Sequence, residues 1–146
     1  MIQLDKHYEP EEVEKRWAES DVQHNVIAFE QQMGTVWGIA DLALTRGGAN
    51  TIAEIAFNAV PSIVLPYPYH KDEHQKTNAK PLESIGGIRI EQDRIDAHAN
   101  IAHAGGTLIK LLKDHQTRFA MRQALSAHAP KNGASALATA CIELIG

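Results

Sequence analysis

The sequence predicts an α/β domain on an open parallel sheet of Rossmann type, and three observations predict it. Short apolar runs of strand length alternate with helical patterns from Ile2 to Ile90. Those runs are continuous rather than alternating, as in strands covered on both faces. Turn chemistry punctuates them at Arg46-Gly47-Gly48-Ala49-Asn50, Pro66-Tyr67-Pro68 and Gly86-Gly87.

Taken in order, Ile2 to Leu4 is a first short strand, and Glu9-Pro10 leads into an acidic helix over Glu11 to Ser20. A proline in the first turn and early glutamates suit a helix start. Asn25 to Phe29 is the second strand and Met33 to Ala40 a short helix. Leu42 to Thr45 is the third strand. From Thr51 to Ala59 the pattern is helical, with Ile52, Ile55, Ala56 and Ala59 on one face. Ser62 to Leu65 is the fourth strand, a helix follows from about Glu73 to Ile85, and Ile88 to Ile90 is the fifth strand. Residues 95–146 carry no strand signal and read as two or three helices broken near Pro130 and Gly133, the helical part of a single domain over 1–146.

Composition narrows the classes. The chain has 146 residues, 44% hydrophobic and 22% charged, and a net charge of −4. An acidic balance gives no electrostatic case for nucleic acid, which needs a basic face. The single cysteine, Cys141, cannot form an internal disulfide, and its apolar run (Ala138 to Ile145) predicts a buried small hydrophobe. No apolar stretch has bilayer-spanning length, and Met1 to Lys6 lacks the pattern of a signal peptide. The expected location is the cytoplasm.

In open parallel sheets ligands bind outside the carboxyl ends of the strands, so the loops after Phe29, Thr45 and Leu65 are the places to look. In Thr45-Arg46-Gly47-Gly48-Ala49-Asn50-Thr51 two glycines permit a sharp turn and a close ligand approach. The N–H groups opening the next helix form an anion site, which Asn50 or Thr51 can cap. Glu54 follows one turn later, where a carboxylate suits two vicinal hydroxyls, both donors to it. A plain tight turn with a favourable helix charge explains the same residues. Neither a G-x-G-x-x-G fingerprint nor a G-x-x-x-x-G-K-[ST] loop is present, which argues against dinucleotide and NTP sites.

The loop from Pro66 to Gln75 is dense in side chains that hydrogen-bond neutral hydroxyls, although a solvated loop would look similar. His70-Lys71-Asp72-Glu73-His74 is also a literal H-x-x-E-H, the spacing of inverted zinc peptidases. That chemistry needs both imidazoles on one continuous helix, and Pro66 and Pro68 place His70 in a loop. No metal or cofactor is therefore assigned.

Together, the run Ala40 to Ala56, Pro61 to Pro66, and His74-Gln75-x-x-Asn78-Ala79 resemble the bacterial peptidoglycan N-acetylglucosaminyltransferases. This MurG-type family belongs to glycosyltransferase family 28 and has the GT-B fold. The resemblance covers most of the chain, is strongest from Asn25 to Gly87, and lies in the C-terminal, donor-binding domain. It implies UDP-GlcNAc, or UDP, as ligand and transfer of GlcNAc to a lipid-linked acceptor in peptidoglycan precursor synthesis. By the same resemblance Gly48, Ala49, Asn50 and Thr51 hold the donor phosphates, and Glu54 holds the ribose hydroxyls. His74 and Gln75 lie where the GlcNAc hydroxyls are contacted, Asn78 belongs with the donor-binding residues, and Glu30 lies where main chain reads the uracil edge. The chain departs from the family at Asn50, usually apolar or serine, and at Gly47, often serine or alanine.

Family members also carry an acceptor-binding N-terminal domain with the expected general base, and a first strand with a Gly-Gly-Ser loop. This sequence matches from what resembles the second strand onward. It is therefore expected to need an acceptor-binding domain or partner chain, to meet the membrane's inner face only through the lipid-linked acceptor, and to be inactive alone. A sheet without its central strand also predicts a homo-oligomer, or inward pairing of Ile2–Leu4 with Leu42–Thr45. The alternative readings are a non-catalytic nucleotide-sugar-binding or interaction module and, behind it, an H-x-x-E-H zinc hydrolase.

Overall fold

A computed structural model describes residues 2–3, 9–69, 73–129 and 133–145. The chain divides into two units, residues 1–36 and 37–146.

In the first unit β1 (Ile2–Gln3) pairs in parallel with β2 (Val26–Ile27), Ile2 opposite Val26 and Gln3 opposite Ile27. Among the described residues Ile2–Gln3 pairs with β2 only, and Leu4 lies outside them. Between the strands runs α1 (Pro10–Ala18), with Pro10 in its first turn, Glu11 and Glu12 beside it, and Lys15 and Arg16 in the last turn. That arrangement matches the helix dipole at both ends. The helix stops short of Ser20 because both the N–H and the hydroxyl of Ser20 bond the Trp17 carbonyl. A second helix, α2 (Met33–Ile39), runs across the division between the units.

The second unit holds a three-stranded parallel sheet in the order β3 (Ala43–Thr45), β4 (Ser62–Val64), β5 (Ile88–Ile90). Leu44 stands opposite Ile63, and Ile63 opposite Arg89. Read as second to sixth strands, the observed pairings are those contained in the doubly wound order 3-2-1-4-5-6. The central strand is wholly buried, whereas Leu44 on the edge strand is exposed. A parallel strand needs a crossover, here supplied by α3 (Ala49–Asn58) and α4 (His74–Ser84). The remainder is α5 (Ala97–Lys113), α6 (His115–Ala127) and α7 (Gly133–Ile145).

The core of this unit centres on Ile63, Leu111 and Met121, with Leu42 and Leu108 packed against them. Full burial of a side chain such as Ile63 stabilises by about 1.5–3 kcal/mol, so β4 is the strand that the helices hold in place. The break between α5 and α6 falls at Asp114, whose carboxylate accepts from the N–H and the hydroxyl of Thr117 and caps α6. Those hydrogen bonds hold the Asp114 carboxyl below its ordinary value. The second break lies between Ala127 and Gly133, and Pro130 is outside the described residues. Cys141 is exposed rather than buried, in company with Leu137, Ile142, Leu144 and Ile145. An apolar run alone does not bury a helix; another layer must cover it, and none does so among the described residues.

Candidate functional site

Because β3, β4 and β5 are parallel, the loops after Thr45, Val64 and Ile90 leave the same edge of the sheet. Gly47 makes the first of these turns possible. Its φ is +82°, and a Cβ there would lie 2.6 Å from Val64 Cγ1 and 3.2 Å from the Gln75 carbonyl oxygen. The β3–α3 turn therefore rests directly on the first turn of α4. The two loops singled out in the sequence meet at this contact.

Helix α3 begins at Ala49, two residues earlier than expected. Its N-cap is Gly48 (φ −59°, ψ 153°), and no side chain caps it. Asn50 and Thr51 consequently do not cap the helix: a cap must itself be non-helical, and both are already inside. The first intrahelical bond runs from the Ile52 N–H to the Gly48 carbonyl at 2.9 Å. This leaves the N–H groups of Ala49, Asn50 and Thr51 without an intrahelical acceptor, the arrangement that binds anions at helix starts. Ala49 and Asn50 are exposed and Thr51 is half-buried.

Glu54 is half-buried one turn further on. Its Oε2 accepts from the Trp37 indole N–H at 3.1 Å, and its carbonyl accepts from the Asn58 amide at 2.9 Å. On α4, His74 is exposed at the helix start, with Gln75 and Asn78 half-buried. The Gln75 side-chain oxygen Oε1 accepts from the Tyr67 N–H at 2.7 Å, which orients the carboxamide. The structure thus brings Gly48, Ala49, Asn50, Thr51 and Glu54 on one helix beside His74, Gln75 and Asn78 on the next. Glu30 belongs to the other unit; its carboxylate accepts from the Gln32 N–H at 2.7 Å, a local turn that engages the side chain. His70, Lys71 and Asp72 of the H-x-x-E-H run lie outside the described residues.

Two features here had no local signal in the sequence. One is Trp37. The other is a brace across all three loops: Arg46 pairs with the buried Asp93 carboxylate, reaches the Leu65 carbonyl, and lies 6.0 Å from the Tyr67 ring centre. Asp93 Oδ1 also accepts from the Ile95 N–H and the Asn100 amide, both at 2.8 Å. The strand-end rule, extended to the loop after Ile90, would have pointed at Asp93. A cavity of about 230 Å³ lined by Asp41, His115, Arg118, Phe119 and Arg122 lies instead at the amino end of β3. Its arginines are spent on helix-end and loop carbonyls, Arg118 on Leu112 at 2.9 Å and Arg122 on Ala40 at 2.9 Å. The cavity lies away from the loops at the carboxyl ends of the strands.

The model of the glycosyltransferase family 28 C-terminal domain matches residues 1–137. The chain belongs to that family. A relative from Acidithiobacillus ferrooxidans is 36% identical over 131 residues, covering 89% of this chain and 35% of the relative. It is named UDP-N-acetylglucosamine–N-acetylmuramyl-(pentapeptide) pyrophosphoryl-undecaprenol N-acetylglucosamine transferase. The relative of the same name from Aquifex aeolicus is 45% identical over 74 residues, 49% of this chain and 22% of the relative. The crystal structure of Acinetobacter baumannii MurG superposes with a TM-score of 0.76 at 27% identity, covering 88% of this chain and 36% of that one. This family 28 chain therefore spans about a third of the length of the relatives it matches. It shares the α/β, Rossmann-like fold of the part of that GT-B structure it covers.

Proposed function

We propose that this family 28 domain binds the UDP-GlcNAc donor of a hexosyltransferase that acts on a lipid-linked acceptor in peptidoglycan precursor synthesis. The observation that carries the reading is the contact of Gly47 with the first turn of α4, which sets Ala49–Thr51 beside Gln75. The N–H groups of Ala49, Asn50 and Thr51 receive the diphosphate, with Gly48 allowing its close approach. Glu54 accepts from the two ribose hydroxyls. His74, Gln75 and Asn78 bond the sugar hydroxyls, as the family resemblance suggests. No metal or organic cofactor enters this scheme.

Transfer requires donor and acceptor in one cleft, so an acceptor-binding domain or partner chain completes the enzyme and supplies the general base. Among the described residues β3 pairs on one side only, with β4, and its other side is where a second copy of the chain would pair. The work takes place in the cytoplasm against the lipid-linked acceptor; no helix among the described residues is long and apolar enough to cross a membrane.

Titration with UDP and UDP-GlcNAc, followed by calorimetry and backbone NMR, tests the assignment. Resonances of Ala49, Thr51, Glu54 and Gln75 are expected to move, and Glu54→Ala to lower the affinity roughly tenfold or more, the loss of hydrogen bonds to a charged group. If millimolar UDP moves none of the four, the site is elsewhere.

A further inference from the structure

We infer that Trp37 is a positioning residue for ribose recognition: its indole N–H fixes the Glu54 carboxylate in the orientation that accepts two vicinal hydroxyls. The inference rests on the reading of Glu54 as the ribose acid.

Trp37 lies in the second half of α2, is 7% exposed, and donates to Glu54 Oε2 at 3.1 Å. The indole has a single donor and no acceptor, so this bond satisfies its polar atom and makes the ring body and the donor one rigid unit. Glutamate is long, with rotamer freedom that a binding event must otherwise remove. Anchoring one oxygen on a buried ring removes that freedom in advance, which is how preorganisation raises affinity.

The chemistry of the anchor matters as much as its position. A carboxylate offers two oxygens and about four lone-pair sites. The indole takes one of them and leaves Oε1 and a second lone pair on Oε2 for incoming hydroxyls. An arginine or lysine in its place would pair with the carboxylate as an ion and compete with a neutral diol for the same oxygens. A neutral, single-donor partner holds the group while leaving its full charge to the ligand.

The test compares UDP with 2′,3′-dideoxyuridine diphosphate, which lacks both hydroxyls, on the chain, Trp37→Phe and Glu54→Gln, by calorimetry. Trp37→Phe keeps an aromatic body and removes only the donor. It is expected to lose roughly fivefold to tenfold in UDP affinity, about one ordinary hydrogen bond's worth of positioning, with the dideoxy affinity nearly unchanged. Equal losses on both ligands would mean that Trp37 merely supports the fold, and no loss on UDP would equally overturn the inference. If Glu54→Gln weakens UDP and Trp37→Phe does not, positioning fails while the ribose assignment stands. If Glu54→Gln leaves UDP binding intact, or the unaltered chain binds no UDP, the ribose assignment falls and the inference with it. A second readout needs no change at Trp37: its indole N–H resonance, distinguished from that of Trp17 by Trp17→Phe, should shift on saturation with UDP and stay in place with the dideoxy ligand. A resonance indifferent to both would overturn the inference.

Discussion

Replacing Ala59 by glycine should stabilise the chain, and the reason lies in how the site helix ends. Helix α3, whose amino end opens the site, closes with Ala59 at φ 51° and ψ 45°, in the left-handed region. The Ala59 N–H bonds the Ile55 carbonyl, and the Val60 N–H reaches the same oxygen at 3.2 Å, so two donors hold the reversal. Val60 is fully buried and cannot leave to relieve it. An L-residue in that region costs about 1–2 kcal/mol. Glycine carries no such penalty but loses about 0.5–1 kcal/mol more chain entropy on folding. The net expectation for Ala59→Gly is a gain of about 0.5–1 kcal/mol. At an unfolding entropy of about 0.3 kcal/mol/K for a chain of this length, that is a rise in Tm of about 2–3 °C. Gly86→Ala is the reverse experiment: φ is +78°, and nothing lies within 4 Å of the added Cβ, so the loss measures conformational strain less the chain entropy that alanine saves, with no steric contact added. Circular dichroism melts and urea titrations with unchanged m would read both. An Ala59→Gly midpoint equal to or below that of the unaltered chain would refute the strain argument.

Two further outcomes follow from single groups. Thr45 Oγ1 is buried with no hydrogen-bond partner among the described residues, so Thr45→Val should raise stability by about 1 kcal/mol in urea titration; a loss of that size would reveal a partner. The Asp114 carboxyl is held low, first by the Thr117 hydroxyl and then by the Thr117 N–H. A depressed folded-state value contributes stability above the ordinary aspartate pKa of about 3.9, and that contribution is lost as pH falls through the folded value. The stability gap between the chain and Asp114→Ala should therefore be widest near neutral pH and close in acid; a gap independent of pH would contradict the assignment.

The architecture was legible because its signals are local. Strand runs such as Ser62–Leu65 and glycine turns such as Gly47-Gly48 declare themselves within a few residues, and the five strands fell where they were expected. What failed was also local but finer. Gly48 took the extended conformation that caps a helix, so Asn50 and Thr51 moved inside it. The burial expected of Cys141 depended on a covering layer, which periodicity cannot report. The contacts that shape the site are separated in sequence: Trp37 from Glu54 by 17 residues and Arg46 from Asp93 by 47. A tryptophan in a helical run, or an aspartate after a strand, becomes informative only once the topology is known.

If the proposed site holds a diphosphate, the net charge of −4 bears on how it does so. Long-range electrostatics work against the ligand, so attraction must come from groups close to the phosphates. Backbone N–H groups at a helix start supply it without adding a cation. The guanidinium in the turn, Arg46, is already paired with Asp93 and would lend bound phosphates little net charge. Glu54 adds a negative charge one turn into the same helix, where the dipole favours a carboxylate but where it also opposes an anionic ligand. Fixing that carboxylate on Trp37 holds its charge at a set place on the helix, bonded to a neutral donor. On this reading the site separates its two tasks by distance along one helix: bare N–H groups at the first turn for the anion, an anchored carboxylate at the second for the diol.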